Sequence, residues 1–364
     1  MKILVLHSSA GGGHRKAAEA IFNYLRNNHK DAQVKIVDSL EYCSWLFRFS
    51  YHTGYTFLVN HATAIWGFLF GATSSAVSRK ILRKPAVILN HINTVKFREF
   101  LIRENPDLII STHFLSSEVS GILKSNGLIN SKVVTVITDF GVHSFWLANG
   151  IDYYWVASEK TKDILIEEGI PDKSILVYGI PVDVKFEASF NKQLLRQKIG
   201  LDKNKFTVLL ATGSFGIGPL EEITTALKDH AQIILVCARN KKLYKRMLRL
   251  NYPQVKVYAF VDNMEELMAS SDIIITKPGG LSVSELLAMD LAPIFICAIP
   301  GQEEANARIL MEQGIGFFAK TPQEAKEKTL EYIQNPQKLE QVRSNIRFFK
   351  KTNPLQNINN LINK

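Results

Sequence analysis

Residues 272–285 read DIIITKPGGLSVSE and give the strongest indication of the fold. Within the first five residues, Ile273, Ile274 and Ile275 form an apolar run of the kind that becomes a buried parallel strand. The glycine pair Gly279 and Gly280 follows, and a helix is predicted to begin near Leu281. A strand, a glycine turn and a helix in this order are typical of open α/β sheets, in which ligands bind beyond the carboxyl ends of the strands.

The same alternation of apolar runs and helical periods extends in both directions along the chain. Because continuous apolar runs separated by helices suit a doubly wound sheet, we predict an α/β protein with two Rossmann-like domains, residues 1–185 and 200–344. The predicted strands are residues 2–6, 34–37, 107–111, 133–138, 153–157, 207–211, 232–237, 255–259, 272–276 and 293–298. The predicted helices include residues 14–27, 219–228, 264–270 with Asp262 as its cap, and several within 337–364.

Composition bounds the class of protein. A chain of 364 residues suits two domains, and the three cysteines are too few and too far apart for a disulfide framework or a metal site. This cysteine usage fits a reducing compartment. No cleaved signal peptide is recognisable. The net charge of +10 favours an anionic partner. The basic residues are spread widely and no nucleic-acid-binding module is visible, which argues against nucleic acid.

One segment departs from the α/β pattern. Residues 49–78 contain no charged side chain, aromatic residues crowd the segment and the region before it, and a basic cluster follows directly. Its interspersed polar residues argue against a spanning helix, whereas apolar aromatic surface beside positive charge suits a membrane interface. The alternative is a buried helical hairpin with a solvated basic edge. The residues predicted to face the membrane are Trp45, Phe47, Phe57, Trp66, Arg79, Lys80, Arg83 and Lys84.

A first glycine loop follows the first predicted strand and contains Gly12, Gly13 and His14. It departs from the dinucleotide fingerprint, because Lys16 occupies the third glycine position. A neutral imidazole at a strand's carboxyl end is suited to removing a proton from a hydroxyl group near neutral pH. On position alone, a histidine that caps the helix or packs against the loop is an equal alternative.

Three further polar turns lie at predicted strand ends in the second half. The loop with Gly213 and Ser214 can bind an anion, or it is a tight turn without a ligand. In the turn quoted above, backbone N–H groups can hold a diphosphate, and the Glu285 carboxylate can accept hydrogen bonds from ribose hydroxyls. A cluster with Gln302, Glu303 and Asn306 suits sugar hydroxyls, or it caps its own helix.

Several of these motifs resemble one family. The run Gly11-Gly12-Gly13-His14-Arg15 resembles the start of the monogalactosyldiacylglycerol synthases and the bacterial processive diacylglycerol glucosyltransferases. So do the runs around Thr138-Asp139-Phe140, Lys277-Pro278-Gly279-Gly280-Leu281 with Glu285, and Pro300-Gly301-Gln302-Glu303 with Asn306. The last two are shared with the transferase that adds N-acetylglucosamine to the lipid-linked peptidoglycan precursor.

The resemblance implies a GT-B fold of family 28, with two domains facing a central cleft and a C-terminal helix, from about residue 345, packed back on the first domain. It implies a UDP-sugar donor, inversion at the anomeric carbon, and no cofactor or catalytic metal. His14 would face the acceptor hydroxyl. The residues that would bind the donor are Gly213, Ser214, Phe260, Val261, Met264, Lys277, Pro278, Gly279, Gly280, Leu281, Ser282, Glu285, Gln302, Glu303 and Asn306.

The sequence therefore predicts a peripheral hexosyltransferase at the cytoplasmic face of a membrane, acting on a diacylglycerol-type lipid. Either His14 or Asp139 is the expected base. The first alternative is an enzyme like the UDP-N-acetylglucosamine 2-epimerases, which would have no need of the aromatic stretch. The second is a non-catalytic membrane-surface protein that senses nucleotide sugars, against which the joint presence of His14 and Glu285 argues.

Overall fold

The computed structural model describes residues 1–9, 12–50, 54, 90 and 92–362, and the chain divides into two compact units. The first unit comprises Met1–Asp183, Ile299–Ala305 and Lys351–Lys364. The second comprises Val184–Ala298 and Asn306–Lys350.

The first unit is built on a six-stranded sheet in the order β2-β1-β3-β4-β5-β6, and every pairing in it is parallel. The central strands are buried apolar runs, as expected for a sheet that is covered by helices on both faces. The strands are β1 (Lys2–His7), β2 (Gln33–Asp38), β3 (Leu108–Ser111), β4 (Lys132–Val136), β5 (Tyr153–Val156) and β6 (Ile175–Val177).

The helices of the first unit connect these strands. Helix α1 begins at Gly12, within the predicted first glycine loop, and buries Ala18, Ile21 and Leu25 against the sheet. The described helices are α1 (Gly12–Asn28), α2 (Trp45–Phe49), α3 (Val95–Glu104), α4 (Phe114–Ser125) and α5 (Glu159–Glu167), with 3₁₀ turns at Ser39–Tyr42, Ser144–Trp146 and Asp172–Ser174.

The C-terminal segment completes the core of the first unit. Leu355, Ile358 and Leu361 are buried in the same apolar cluster as Ile21 and Leu25. This segment consists of a 3₁₀ turn at Pro354–Asn357 and a short helix, Ile358–Ile362, whose Asn359 Oδ1 lies 2.8 Å from His29 Nε2. The preceding long helix, Pro336–Phe349, belongs to the second unit, so the chain passes from one unit to the other at Lys350–Lys351 rather than near residue 345.

The second unit repeats the architecture with a six-stranded parallel sheet in the order β12-β11-β10-β7-β8-β9. Its strands are β7 (Thr207–Ala211), β8 (Gln232–Val236), β9 (Val255–Tyr258), β10 (Ile273–Thr276), β11 (Ala292–Phe295) and β12 (Phe317–Phe318). Its helices are α6 (Lys192–Lys198), α7 (Leu220–Leu227), α8 (Lys241–Leu250), α9 (Met264–Ala269), α10 (Gly280–Ala288), α11 (Gln302–Glu312), α12 (Pro322–Gln334) and α13 (Pro336–Phe349), of which α11 starts in residues grouped with the first unit.

A partly buried ion cluster anchors α6 to the sheet of the second unit. The Asp272 carboxylate lies 2.6 Å from both Lys192 Nζ and Arg196 Nη2, and its Oδ2 also accepts the N–H of Thr207 at 2.8 Å. These partners hold the pKa of Asp272 below its usual range although burial opposes the shift. Asp272, which directly precedes β10, therefore carries a charge that stabilises the fold.

The structure also corrects the predicted cap of α9 and adds two strands. Asp262 does not cap α9: the N-cap position is Asn263, and no side chain accepts a hydrogen bond from the start of this helix. The added strands, β6 and β12, are three and two residues long. Runs this short carry no periodicity by which a sequence pattern could identify them.

Candidate active site

His14 lies in the first turn of α1, next to the carboxyl ends of β1, β3 and β4. Its Nδ1 is 2.9 Å from the carbonyl oxygen of Thr112. A carbonyl oxygen only accepts hydrogen bonds, so the proton of the neutral ring resides on Nδ1 and the lone pair on Nε2. The ring is thereby held in the tautomer that can remove a proton from a ligand with Nε2.

Two threonines fix this imidazole. Thr138 Oγ1 lies 2.8 Å from His14 Nδ1, so Nδ1 has both this hydroxyl and the Thr112 carbonyl oxygen within hydrogen-bond distance. Thr112 Oγ1 donates to the carbonyl oxygen of His14 at 2.9 Å. Because these contacts come from residues just beyond β3 and β4, the sheet itself sets the position and orientation of the ring.

The surroundings of His14 keep it neutral. Burial lowers the pKa of His14 to about 4, while the hydrogen bond to Thr112 opposes the shift and the neighbouring His7 adds to it. The ring of His113 meets that of His14 edge-on, with centroids 4.8 Å apart, and burial lowers the pKa of His113 well below its ordinary value. This histidine cluster is therefore uncharged near neutral pH.

Asp139 follows Thr138 directly and is buried, with 6% of its surface exposed. Its Oδ2 accepts a hydrogen bond of 2.6 Å from Gln302 Nε2, and both residues belong to the first unit. The two predicted base candidates thus lie in one neighbourhood, linked through the threonine that contacts the imidazole. Gln302, predicted to recognise the donor sugar, holds one oxygen of the second candidate.

Sequence reasoning missed Thr112 and His113. Both follow β3 directly, and His113 Nδ1 caps α4 by accepting the N–H of Leu115 at 3.2 Å. The available signal was a polar pair placed directly after a buried apolar strand, the position at which ligand sites form in open α/β sheets.

The predicted diphosphate turn of the second unit lies between β10 and α10. Gly279 is the N-cap of α10, and no side chain caps this helix. Asn306, fully buried, donates from Nδ2 to the carbonyl oxygen of Pro278 at 3.0 Å and pins the turn. Glu285 lies on the same helix with 6% of its surface exposed, and Lys277 is partly exposed at the start of the turn.

The remaining residues predicted in this turn differ in exposure. Gly280 and Leu281 are buried, whereas Ser282 is partly exposed. The first turn of α10 therefore presents backbone N–H groups without a competing side-chain cap, which is the arrangement that binds phosphate at a helix N-terminus.

The second glycine loop, between β7 and α7, is hydrogen-bonded to the residues that follow β8. Asn240 Nδ2 donates to the carbonyl oxygen of Gly216 at 2.9 Å. The backbone N–H of Arg239 donates to the carbonyl oxygen of Ser214 at 3.3 Å. Gly213 and Gly216 both have positive φ values, 76° and 58°. A Cβ added at Gly216 would lie 2.2 Å from the carbonyl oxygen of Cys237, whereas one at Gly213 would meet nothing within 4 Å.

The fourth predicted cluster caps its own helix. Glu303 Oε2 accepts the N–H of Ile299 at 2.7 Å, and Glu304 Oε2 accepts that of Gly301 at 3.0 Å. Both carboxylates lie in the first turn of α11, where a negative charge is stabilising. Glu303 therefore caps its own helix, which is the alternative to binding a sugar that the sequence left open.

The segment predicted to border the uracil connects β9 to α9. Phe260 is 54% exposed, and Val261 and Met264 are partly exposed. An exposed aromatic ring at the carboxyl end of a parallel strand is available to a planar base. The described residues also contain no group of three or more His, Cys, Asp or Glu side chains arranged to hold a metal ion.

Of the residues predicted to face the membrane, Trp45 and Phe47 lie on the short helix α2, which Ser44 caps. Trp45 is 76% exposed and stacks on Phe49 with ring centroids 5.8 Å apart. Within the described ranges, no helix is long and apolar enough to cross a bilayer. The other predicted membrane residues, Phe57, Trp66, Arg79, Lys80, Arg83 and Lys84, lie outside the described residues.

Comparison with known proteins gives the same family over both halves of the chain. Residues 14–182 match the monogalactosyldiacylglycerol (MGDG) synthase family, and residues 200–359 match the glycosyltransferase family 28 C-terminal domain. A processive diacylglycerol β-glucosyltransferase of Staphylococcus epidermidis is 31% identical over 335 residues, covering 89% of this chain and 82% of the relative. Monogalactosyldiacylglycerol synthase 1, chloroplastic, of Arabidopsis thaliana is 33% identical over 340 residues, covering 89% and 63%.

Among solved structures, the MurG protein of Acinetobacter baumannii matches with a TM-score of 0.67 at 16% identity, covering 100% of this chain and 99% of that one. At this identity the likeness concerns the fold alone. It confirms the predicted GT-B architecture of two Rossmann-like units, each with a parallel six-stranded sheet.

Proposed function

We propose that this chain, which belongs to the family of the monogalactosyldiacylglycerol synthases and processive diacylglycerol glucosyltransferases, transfers a hexose from a UDP-sugar to a diacylglycerol-type lipid at a membrane surface. Family membership makes the chain a glycosyltransferase. The donor, the lipid acceptor, inversion of the anomeric carbon and independence from metal are the proposal.

The observation that carries the proposal is the fixed tautomer of His14. With Nδ1 bound to the Thr112 carbonyl, Nε2 can accept the proton of an acceptor hydroxyl. The oxygen then attacks the anomeric carbon as the bond to the diphosphate oxygen breaks, UDP leaves, and the proton remains on Nε2. A single displacement of this kind inverts the configuration of the anomeric carbon.

The low pKa keeps the His14 ring unprotonated at neutral pH but also makes it a weak base, so it takes the proton only from a hydroxyl whose acidity has risen. At neutral pH the ring carries no second proton, so it is always ready to accept one. The hydroxyl becomes acidic only as its oxygen bonds to the sugar, and the transfer to Nε2 accompanies that step. Asp139 stays an alternative base or a group that stabilises the imidazolium formed during the reaction.

The second unit supplies the donor site in this proposal. Backbone N–H groups at Gly279 and Gly280 and at the loop of Gly213 and Ser214 hold the diphosphate and stabilise the charge of departing UDP. These donors would take the role that a metal ion has elsewhere. Glu285 receives the ribose hydroxyls, and the segment from Phe260 to Met264 receives uracil.

The acceptor places the reaction at a bilayer. The exposed aromatic side chains of α2 support contact with lipid, because Trp and Phe favour the interfacial region. The basic cluster from Arg79 to Lys84 would attract an anionic surface. We propose a peripheral position at the cytoplasmic face, where nucleotide sugars are available.

The test is incubation of the protein with labelled UDP-glucose or UDP-galactose and vesicles containing diacylglycerol, followed by lipid extraction. We expect a β-linked glycolipid from an α-linked donor and undiminished turnover in EDTA. His14→Ala should abolish product formation while the protein still binds UDP. Near-normal turnover of a folded His14→Ala variant would eliminate His14 as the base.

The same incubation distinguishes the two alternatives. An epimerase would release UDP or an epimerised sugar without forming a lipid product. A sensor protein would bind UDP and give no product from any donor. Either result in folded protein that binds UDP would refute transfer to lipid.

A further inference from the structure

Helix α8 (Lys241–Leu250) of the second unit is unusual in charge. It reads KKLYKRMLRL, with five cationic residues and no acidic one. At 3.6 residues per turn, the cations fall within one arc of about 140° of the helix circumference. All five side chains of this cationic arc are exposed: Lys241, Lys242, Lys245, Arg246 and Arg249.

The opposite face of α8 packs against the core of the second unit. Met247 is buried, and Leu243 and Tyr244 pack against the same apolar cluster. Leu248 and Leu250 stand at the two borders of the cationic arc with 49% and 39% of their surface exposed. The surface of α8 that faces solvent is therefore cationic, with one exposed leucine at each border.

The arrangement is unfavourable within the protein. Lys241 and Lys245, Lys242 and Arg246, and Lys245 and Arg249 are like-charged pairs four residues apart, and such pairs destabilise a helix. In the described part of the chain only Arg246 has an acidic partner, Glu221 at 2.7 Å. The other four cations have no ion-pair partner among the described residues and face solvent, so they are available to an anionic partner.

Apolar surface continues beyond one border of the arc. Leu248 lines a cavity of about 270 Å³ between α8 and β9, together with Met247 and Tyr252. Strand β9 is the outermost strand of its sheet. The helix thus lies at an edge of the second unit, with positive charge beside accessible apolar side chains.

We propose that the cationic arc of α8 docks on an anionic lipid bilayer and gives the second unit its own membrane contact. The charge density fits acidic headgroups, and the bordering leucines fit the apolar boundary beneath them. A nucleic acid is a poorer occupant, because α8 offers no exposed aromatic ring on which bases could stack. The inference rests on the proposed function, since a diacylglycerol acceptor resides in a bilayer.

The test compares binding of three full-length proteins to phosphatidylcholine vesicles with and without phosphatidylglycerol. The arc variant, K241Q/K245Q/R249Q, removes three charges while glutamine keeps the helix propensity. The control, K203Q/K205Q/K320Q, removes three exposed lysines of the same unit that lie outside α8. Circular dichroism should show that both variants are folded.

We expect the wild type and the control to bind the anionic vesicles and to dissociate with added salt. One interfacial charge changes partitioning about fivefold, so the arc variant should bind on the order of 100-fold more weakly. Equal losses in the arc and control variants would overturn the proposal, because net charge alone would then explain binding. So would equal binding of the wild type to neutral and anionic vesicles, or binding to an oligonucleotide without binding to vesicles.

Turnover measured with acceptor in detergent micelles separates this inference from the proposed function. The arc variant should keep wild-type activity in micelles and lose it on anionic vesicles. If no glycolipid forms under any condition but vesicle binding still depends on the arc, the transfer reaction fails and the docking surface stands. If the protein is active in micelles but the arc variant binds vesicles as well as the wild type does, the docking proposal is refuted and the proposed transfer reaction is not.

Discussion

His14→Gln tests the environment of the imidazole through the pH dependence of stability. In an unfolded chain a histidine titrates near pH 6.5, whereas burial lowers the pKa of folded His14 to about 4. Between these values the unfolded state binds a proton that the native state does not. The stability associated with neutral His14 is therefore complete above about pH 6.5 and is lost as the pH falls towards 4.

The magnitude follows from the size of the shift. Each pKa unit corresponds to about 1.4 kcal/mol, so the wild type should lose up to about 3 kcal/mol of unfolding free energy over this interval through His14. The Gln variant has no such titration, although His7 and His113 continue to titrate in both proteins. The difference between wild type and variant isolates the contribution of His14.

Urea denaturation at a series of pH values measures this difference. His230→Gln is the matched control, because it makes the same substitution at an exposed histidine of the other unit. If wild type and His14→Gln lose stability in parallel between about pH 6.5 and 4, the imidazole is not held neutral by burial. The description of the site would then be wrong.

The same property appears in catalysis. The pH dependence of kcat/KM reports the free enzyme, so its acid limb should fall near the lowered pKa of about 4. His14→Gln should reduce turnover by roughly 10²- to 10⁴-fold. An acid limb near pH 6.5 that disappears in the variant would support His14 as the base but contradict the burial argument.

Three further changes test the second unit. Glu285→Gln should weaken UDP binding about tenfold and erase the preference for UDP over 2′-deoxy-UDP, measured by calorimetry, and a retained preference would exclude Glu285 from the ribose. Gly216→Ala should cost about 3 kcal/mol or more in urea denaturation because its Cβ would lie 2.2 Å from the Cys237 carbonyl oxygen, whereas Gly213→Ala should cost about 1 kcal/mol. Equal costs would contradict this steric difference. Asp272→Asn should cost about 2–4 kcal/mol at pH 7, with the loss shrinking in acid as the wild-type carboxylate is protonated, and a pH-independent loss would show that its charge is not stabilising.

The parallel sheets were predictable because their strands are buried on both faces. Residues 207–211 and 232–237 are continuous apolar runs, and the structure has them as β7 and β8 with at most one residue of difference. The edge strands carry weaker signals. β6 and β12 are only three and two residues long, so they are defined by pairing with a neighbouring strand rather than by a pattern of their own.

The partners of the candidate base lay beyond sequence reasoning for a different reason. The Thr112 carbonyl is 98 residues from His14, and Gln302 is 163 residues from Asp139. A local pattern shows which residues end a strand, but the order of strands in the sheet decides which ends are neighbours. The tautomer of His14 therefore emerges only from the folded structure.

The glycine loop after β7 shows why an anion-binding loop and a tight turn are not competing interpretations. In the loop after β7, Gly216 is required by its own fold, because the Cys237 carbonyl leaves no room for a side chain. Gly213 is exposed, and a Cβ there would meet nothing, so close packing within the protein does not explain it. Its positive φ is the structural reason for glycine at this position, and the open space around it leaves the backbone accessible to a ligand. One loop thus contains a glycine that serves the turn and another that is placed where a diphosphate could approach the backbone, so the two must be tested separately.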